Sequence, residues 1–174
     1  MQLEGKRIIV TGSARGMGAA TLRAYVREGA HVIGMDVNDA AGAEVAVEAT
    51  QTGPGNAGYM HVDVSDKTSV ESVFAKAVAA MGGLDVLAHP AAIQSASDAG
   101  DVTVEDWDLM FAVNVRGTML TNQVAARYMK DSGGGSILNF GSISGQRPEP
   151  GAAAYSAAKG AVHSWTRTAA GTWG

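Results

Sequence analysis

A tyrosine and a lysine four residues apart are the pair in this 174-residue chain best suited to acid–base chemistry. They lie in Tyr155-Ser156-Ala157-Ala158-Lys159, at the start of a predicted helix, where this spacing places both side chains on one face. A phenol has a pKa of about 10, and lowering it to about 7 requires about 4 kcal/mol of differential stabilisation. A close ammonium in a partly desolvated site could supply this energy. Taken alone, however, the spacing is more typical of an exposed pair without chemistry.

Ser142 strengthens the catalytic interpretation because it follows the fifth predicted strand, 13 residues before Tyr155. In open α/β sheets, ligands bind at the carboxyl ends of the strands. The Ser142 hydroxyl could hold a carbonyl or alcohol oxygen there. Ser142, Tyr155 and Lys159 are therefore candidates for chemistry on an alcohol or a ketone.

A glycine-rich turn follows the first predicted strand. Its glycines allow a tight turn and a close approach to a pyrophosphate, and the next helix offers free N–H groups. Asp36 ends the second strand, where a carboxylate can accept hydrogen bonds from an adenosine ribose. A glycine turn without a ligand is the alternative, but its context and Asp36 favour a dinucleotide. The turn residues expected to contact it are Gly12, Ser13, Arg15, Gly16, Met17 and Gly18.

Two charged residues favour different dinucleotides. Asp36 would repel a 2′-phosphate, which favours NAD(H), whereas Arg15 could pair with that phosphate. Because the clash with Asp36 is direct, the sequence predicts NAD, with NADP as the less favoured choice. Val37, next to Asp36, is expected to contact the same cofactor.

Strands and helices alternate along the chain, which predicts an α/β fold with a parallel sheet covered by helices on both faces. Crossovers between the strands should be right-handed. A polar loop with prolines is predicted at 141–151. Strands are predicted at 6–11, 31–36, 59–62, 84–88 and 136–140. Helices are predicted from the glycine turn to 28, after a cap at Asn38 to 51, after a cap at Ser65 or Asp66 to 81, at 103–130, and from 152 almost to the end.

Composition argues against several other classes of protein. The net charge is −4 without a cluster of basic residues, so nucleic-acid binding has no electrostatic support. The absence of cysteine excludes disulfides, thiolate catalysis and cysteine–zinc sites. Neither a signal peptide nor an apolar run of about 18 residues is present. The expectation is a cytoplasmic protein with a small-molecule substrate, no metal and no membrane or nucleic-acid partner.

Taken together, these motifs resemble the short-chain dehydrogenase/reductase family over essentially all 174 residues. The turn from Thr11 to Gly18 is similar to the family's cofactor signature, and Asp63-Val64 to its adenine contact. The resemblance implies a Rossmann-like doubly wound sheet of about five strands in the order 3-2-1-4-5, within a single domain at 1–174. The residues that match the family's catalytic tetrad are Asn114, Ser142, Tyr155 and Lys159.

The resemblance implies an NAD(H)-dependent oxidoreductase that acts on CH–OH donors and interconverts a secondary alcohol and a ketone. Tyr155 would exchange a proton with the substrate oxygen, and Ser142 would position that oxygen. Lys159 would lower the tyrosine pKa and hold the nicotinamide ribose, so that Tyr155 and Lys159 also contact the cofactor. Asn114 would help to hold a water that relays protons to Lys159. The alternative for Asn114 is a polar residue that satisfies a helix irregularity.

Residues 89–92 depart from the family pattern, since His89-Pro90-Ala91-Ala92 stands where Asn-Asn-Ala-Gly is usual. Pro90 removes a backbone N–H, and Ala92 adds a methyl where glycine allows close approach. We therefore expect a changed or weakened cofactor cradle, with Ala91 still among the contacts. His89 is expected to make a local hydrogen bond.

A second departure is length, because family members normally continue well beyond residue 174. The usual last two strands and the substrate-covering loop are absent, which would leave the fifth strand as an edge. A non-catalytic dinucleotide-binding module and a shortened gene product are therefore alternatives to an active enzyme. Candidate pocket walls are 94–101 and 145–150.

A homo-oligomer, either a dimer or a tetramer, is also expected. The helix from Thr103 and the final helix resemble the pair through which family dimers form. Apolar residues on the first of these helices exceed a single stripe, which predicts an apolar exposed face. These residues are Val113, Met119, Leu120 and Val124.

Overall fold

A parallel sheet of five strands lies at the centre of the structure, a computed structural model that describes residues 1–147 and 149–174. Pro148, in the predicted loop at 141–151, lies outside the described residues. The strands are β1 (Arg7–Thr11), β2 (His31–Asp36), β3 (Asn56–His61), β4 (Val86–His89) and β5 (Ser136–Asn139). The helices are α1 (Gly16–Arg27), α2 (Asp39–Thr52), α3 (Lys67–Met81), α4 (Val104–Phe111), α5 (Gly117–Asp131) and α6 (Ala153–Trp173).

The strand order is β3-β2-β1-β4-β5, which confirms the predicted doubly wound, Rossmann-like arrangement. The middle strand β1 is apolar on both faces, as a strand buried on both sides must be. Ile9 packs in the core with α3 and α5, whereas Ile8 and Val10 pack with α1 and α2. Because the order reverses between β1 and β4, a crevice forms at their carboxyl ends, next to Thr11 and His89.

The predicted helix at 103–130 is present, but its helix type changes in the middle. α4 ends at Phe111, a π-helical segment spans Ala112–Arg116, and α5 follows. Asn114 lies in this segment, and its side chain makes two hydrogen bonds to the backbone of Ile93, 21 residues earlier in the chain. This long-range contact accompanies the local change of helix type.

Strand β3 begins three residues earlier than predicted. Asn56-Ala57-Gly58 has the composition of a loop, but β2 pairs with it from the register contact His31↔Asn56 onward. Pairing with a neighbouring strand overrides weak local preference here.

The strand β5 is held to the helices beside it by a partly buried polar network. The side-chain amides of Asn122 and Asn139 exchange two hydrogen bonds, at 3.0 and 2.9 Å. Trp165 Nε1 also donates to Asn122 Oδ1 at 3.0 Å. Among the described residues β5 pairs with β4 alone, and Leu138 is 40% exposed, as expected of an edge strand.

The residues that predicted an apolar exposed face are largely internal. Leu120 and Val124 are buried in the core, and Val113 and Met119 pack against the same cluster. That part of the expectation is wrong, because α5 contributes a broader face to the core than a single stripe. Across the described residues, no helix is both long and apolar enough to span a bilayer.

Arg7 and Asp85 form an ion pair at the amino end of the sheet, joining β1 to the segment before β4. The guanidinium donates to both carboxylate oxygens, at 2.9 and 2.8 Å, and the Arg7 backbone N–H donates to the same carboxylate at 2.8 Å. The hydrogen bonds from the Arg7 side chain are the main reason why the pKa of Asp85 falls to about 2.

Asp85→Asn is therefore expected to reduce the free energy of unfolding at about pH 7 by about 2 kcal/mol. A carboxyl with a lowered pKa stabilises the fold above its unfolded pKa of about 3.9, and this contribution disappears as the pH falls through the folded pKa. In urea unfolding, the gap between the wild type and the variant should shrink to roughly half by about pH 3. Asp131→Asn, at an exposed carboxylate of α5, is the control. A gap that is independent of pH would contradict the prediction.

Candidate active site

The glycine turn lies between the end of β1 and the first turn of α1. Gly12 has a φ of 62°, and a Cβ there would lie 2.7 Å from the Cα of Ala91. This close approach requires glycine and brings the turn against the segment after β4. Gly16 has a φ of 54°, and a Cβ there would meet no atom within 4 Å, so its backbone faces open space.

The N-terminus of α1 differs from those of the next helices. Side chains of Asn38, Asp66 and Thr103 cap α2, α3 and α4. Asn38 was predicted as a cap, and Asp66 was one of two predicted alternatives, the other being Ser65. Arg15 precedes α1 without a side-chain cap, and the first turn has no acidic residue. An uncapped N-terminus beside an open glycine is suited to a phosphate group. On this observation the turn fits a dinucleotide.

The other predicted turn residues differ in their exposure to solvent. Arg15 and Met17 are exposed, and Gly18 is buried. Ser13 is fully buried, and its hydroxyl lies under the turn against Gly34. The backbone N–H of Ser13 donates to the backbone oxygen of Met35 at 3.2 Å, so only the backbone oxygen of Ser13 could contact a cofactor.

Asp36 joins the glycine turn to the end of β2. One carboxylate oxygen accepts from Ala14 N at 3.0 Å, and the other accepts from Asn38 N at 3.0 Å. The carboxylate is thus fixed at the rim of the crevice while its remaining lone pairs stay available. Val37 beside it is 61% exposed.

Asp63 and Val64 follow β3. Asp63 Oδ1 accepts from both the backbone N–H and the hydroxyl of Ser65, at 2.9 and 2.7 Å. Val64 is 7% exposed and packs against Gly117 of α5. Most of the Val64 side chain therefore serves the core.

Tyr155 and Lys159 lie on one face of α6, as the spacing predicted. Lys159 is 5% exposed, and its Nζ donates to the backbone oxygen of Phe140 at 2.6 Å. The same Nζ lies 5.6 Å from the centre of the Tyr155 ring. Burial lowers the pKa of Lys159. Tyr155 is half-buried and packs against the buried cluster of Met110, Ala154 and Ala158.

Ser142 and Asn114 reach this site from two other elements. Ser142 follows β5 and caps a short 3₁₀ turn, Ile143–Gly145, that packs on α6. Asn114 is buried, and its π-helical segment also packs on α6. Both amide atoms of the Asn114 side chain are bound to Ile93, so the irregularity anticipated for this residue is present.

His89 lies beneath the crevice at the end of β4. Its Nδ1 is 2.8 Å from Thr11 Oγ1 and 3.2 Å from Thr121 Oγ1, which confirms the predicted local hydrogen bond. The ring is 3% exposed, and Nε2 has no partner among the described residues. Burial, assisted by the charge of Lys159, lowers the pKa of His89 to about 3.

Comparison with known proteins decides the family. The family model described as short chain dehydrogenase matches residues 6–174. The chain belongs to the short-chain dehydrogenase family. Its candidate site therefore lies in a fold that the chain shares with many relatives.

Sorbitol dehydrogenase of Cereibacter sphaeroides is 40% identical over 170 residues, which are 97% of this chain and 65% of that protein. The 3-alpha-(or 20-beta)-hydroxysteroid dehydrogenase of Mycobacterium tuberculosis is 37% identical over 169 residues, 97% of this chain and 64% of the relative. This short-chain dehydrogenase thus spans about two thirds of the length of the curated relatives that it matches.

Solved structures give the same fold. A short chain dehydrogenase from Mycobacterium smegmatis has a TM-score of 0.95 at 30% identity, covering 99% of this chain and 72% of that one. An NAD+-bound xylitol dehydrogenase has a TM-score of 0.94 at 27% identity, covering 97% of this chain and 65% of that one.

Two site residues of this short-chain dehydrogenase were missed by sequence reasoning. His163 Nε2 accepts from the backbone N–H of Ser142 at 3.3 Å, and the Oγ atoms of Ser142 and Ser144 are 2.7 Å apart. His163 lies eight residues after Tyr155, which places it on the same helix face, and that spacing was a usable signal. Ser144 lies in a turn, where periodicity gives no signal.

Proposed function

We propose that this short-chain dehydrogenase is an NAD(H)-dependent oxidoreductase that interconverts a secondary alcohol and a ketone, with residues 1–174 forming its cofactor-binding and catalytic domain. The observation that carries the proposal is the placement of Tyr155 beside a buried Lys159 on α6, with Ser142 packed against the same helix. An amine held in a buried position next to a phenol is an arrangement for moving a proton.

Each of these residues has a distinct proposed role. The Tyr155 hydroxyl gives a proton to the substrate oxygen in reduction and takes it back in oxidation. Lys159 is fixed by Phe140, which leaves ammonium hydrogens free to stabilise the phenolate and to hold a ribose hydroxyl. Ser142 orients the substrate oxygen, and Asn114 supports the proton relay to Lys159. The dinucleotide, when bound, supplies or accepts the hydride.

The glycine turn, Asp36 and the uncapped α1 support binding of that dinucleotide. The turn backbone would hold the pyrophosphate, and Asp36 would hold the adenosine ribose. Val37 and Asp63-Val64 would border the adenine, and Ala91 would lie near the middle of the cofactor. The NAD+-bound state of the xylitol dehydrogenase neighbour supports the preference for NAD.

A secondary alcohol as substrate is supported by the names of the relatives, which include sorbitol and xylitol dehydrogenases. The test is turnover of a broad panel of secondary alcohols and ketones, with reduced and oxidised cofactor monitored by nicotinamide absorbance. Cofactor binding without any turnover would instead favour a non-catalytic dinucleotide-binding module, the second candidate, which the departure at residues 89–92 favours.

Asp36→Asn is expected to shift the cofactor preference from NAD towards NADP. Removing the carboxylate charge relieves repulsion of a 2′-phosphate, while exposed Arg15 remains to pair with it. The ratio of the two dissociation constants should change by roughly ten- to a hundredfold, measured by calorimetric titration. Glu44→Gln, which makes the same charge change at an exposed position of α2, should leave the ratio unaltered. An unchanged ratio in Asp36→Asn would refute the assignment of Asp36.

We also propose a homo-oligomer, through the surface where α4 and the π segment meet α6. Leu109 is 55% exposed, and Trp107 is 39% exposed and stacks on Phe111. An open cavity beside them is also lined by Met119 and Trp165.

Leu109→Glu should lower the molecular mass measured by light scattering, because it introduces a charge at the centre of this apolar surface. Val47→Glu, at an equally exposed position of α2, should leave the mass unchanged. A monomeric mass for the unaltered protein would rule out the oligomer.

A further inference from the structure

Ser144 is a buried hydroxyl directly beside the hydroxyl of Ser142. The two Oγ atoms are 2.7 Å apart, and the backbone N–H of Ser144 donates to Ser142 Oγ at 3.3 Å. Ser144 is 4% exposed, whereas Ser142 is partly open. The Ser142 hydroxyl, which is proposed to contact the substrate, is thus hydrogen-bonded to the buried hydroxyl of Ser144.

The turn that carries Ser144 is fixed against α6. A Cβ on Gly145 would lie 2.7 Å from the backbone N of Gly160, so this glycine lets the turn touch the helix backbone immediately after Lys159. The backbone of Ser144 is therefore held in place by the contact between its turn and the helix that bears the lysine.

The backbone of Ser142 is held from the same helix. Its N–H donates to His163 Nε2 at 3.3 Å, and the imidazole packs so closely on Gly141 that a side chain there would collide with it. The position of Ser142 is therefore set by α6, and what remains free is the rotation of its hydroxyl.

Counting hydrogens decides the direction of the bond between the two hydroxyls. A serine hydroxyl has one hydrogen and two lone-pair positions. If Ser142 donated to Ser144, the hydrogen of Ser144 would be buried with no acceptor among the described residues, which is unfavourable. If Ser144 donates, its hydrogen is satisfied, and Ser142 Oγ accepts from both the hydroxyl and the backbone N–H of Ser144. The Ser142 hydrogen is then the part left to point into the site.

We infer that Ser144 is a positioning residue that fixes Ser142 as a hydrogen-bond donor to the substrate oxygen. The inference rests on the proposed function. In reduction, the carbonyl oxygen gains negative charge as the hydride reaches its carbon, and a donor oriented in advance stabilises that charge. No bond breaks at Ser144 or Ser142, and the proton taken up by the oxygen comes from Tyr155.

The direct test needs neither cofactor nor substrate. NMR of protein labelled with ¹³C-serine should show a slowly exchanging hydroxyl proton assigned to Ser144, and this signal should vanish in Ser144→Ala. A slowly exchanging proton on Ser142 instead, or on neither serine, would overturn the inference.

Steady-state kinetics of Ser144 variants provide a second test of the inference. Ser144→Ala should lower kcat about tenfold with KM changed by less than about twofold, since the lost orientation matters mainly in the transition state. Ser144→Thr, which keeps the hydroxyl, should recover most of kcat. In a Ser142→Ala background, Ser144→Ala should have no further effect, because it acts through Ser142. An equal loss in both backgrounds would show a merely structural role and overturn the inference.

Ser164→Ala, at an exposed serine of α6, is the matched control and should change neither constant. If the unaltered protein turns over no member of the alcohol and ketone panel, the proposed function fails. The hydroxyl-proton measurement then still decides the orientation of Ser144.

Discussion

Tyr155→Phe is expected to lower kcat by about a thousandfold while changing the affinity for NADH by less than about threefold. The substitution removes the hydroxyl proposed to transfer the proton and keeps the ring that packs against the cluster of Met110, Ala154 and Ala158. General acid–base groups contribute typically 10²–10⁴-fold, and a thousandfold loss lies within that range. The fold should be preserved, because phenylalanine keeps the packing of the ring against this cluster.

The measurement combines steady-state turnover with titration of NADH. Tyr128→Phe removes a hydroxyl from a half-buried tyrosine of α5 and should leave kcat unchanged. Turnover that survives Tyr155→Phe would contradict the assigned role. Loss of NADH binding in step with turnover would instead indicate that the ring mainly supports the cofactor site.

Sequence reasoning located β1 and β2 because each carries a run of apolar residues between clear turn signals. The order of the strands was implied by the family resemblance and not by these runs. Sequence reasoning also predicted that Tyr155 and Lys159 lie together because residues four positions apart lie on the same face of a helix. Membership of the family agrees with this fold. The roles assigned to the four candidate catalytic residues stay predictions. Local sequence patterns were sufficient to place a residue wherever its position depends only on the helix or strand that contains it.

Features that depend on distant contacts could not be predicted in this way. The π segment at Asn114 is associated with hydrogen bonds to Ile93, and no periodicity within the helix reveals a partner 21 residues away. The inward side chain of Ser13 reflects space left by Gly34 on another strand. The reciprocal pair of Asn122 and Asn139 likewise exists only because α5 packs beside β5.

The overestimate of the apolar exposed face has a similar cause. An apolar pattern shows how many faces of a helix avoid water, but not what covers them. Leu120 and Val124 are covered by the chain's own core, whereas Leu109 is not. The prediction of an oligomer therefore now rests on α4 and α6 instead of the middle of the long helical stretch.

The buried imidazole of His89 should make the protein acid-sensitive, and His89→Asn should remove most of that sensitivity. In the folded state the pKa of His89 is about 3, because burial disfavours the charged ring. In the unfolded chain a histidine has a pKa of about 6.5. Between these values the unfolded chain binds one more proton than the folded one, so the free energy of unfolding falls by about 1.4 kcal/mol for each pH unit of acidification.

His89→Asn cannot take up this proton, and a smaller amide can still bond to Thr11. At about pH 7 the variant should be less stable than the wild type by about 1–2 kcal/mol, because it leaves a small cavity. By about pH 4.5 this difference should have moved by roughly 2–3 kcal/mol in favour of the variant. Urea unfolding at a series of pH values measures both curves.

His31→Asn replaces an exposed histidine at the start of β2 and should leave the pH slope of the wild type in place. Parallel curves for the wild type and His89→Asn would mean that the imidazole is protonated inside the fold. In that case Nε2 must donate to a hydrogen-bond acceptor, although it has no partner among the described residues. The substitution of histidine for the family's usual asparagine would then alter the charge beneath the crevice, and with it the electrostatic environment of Lys159.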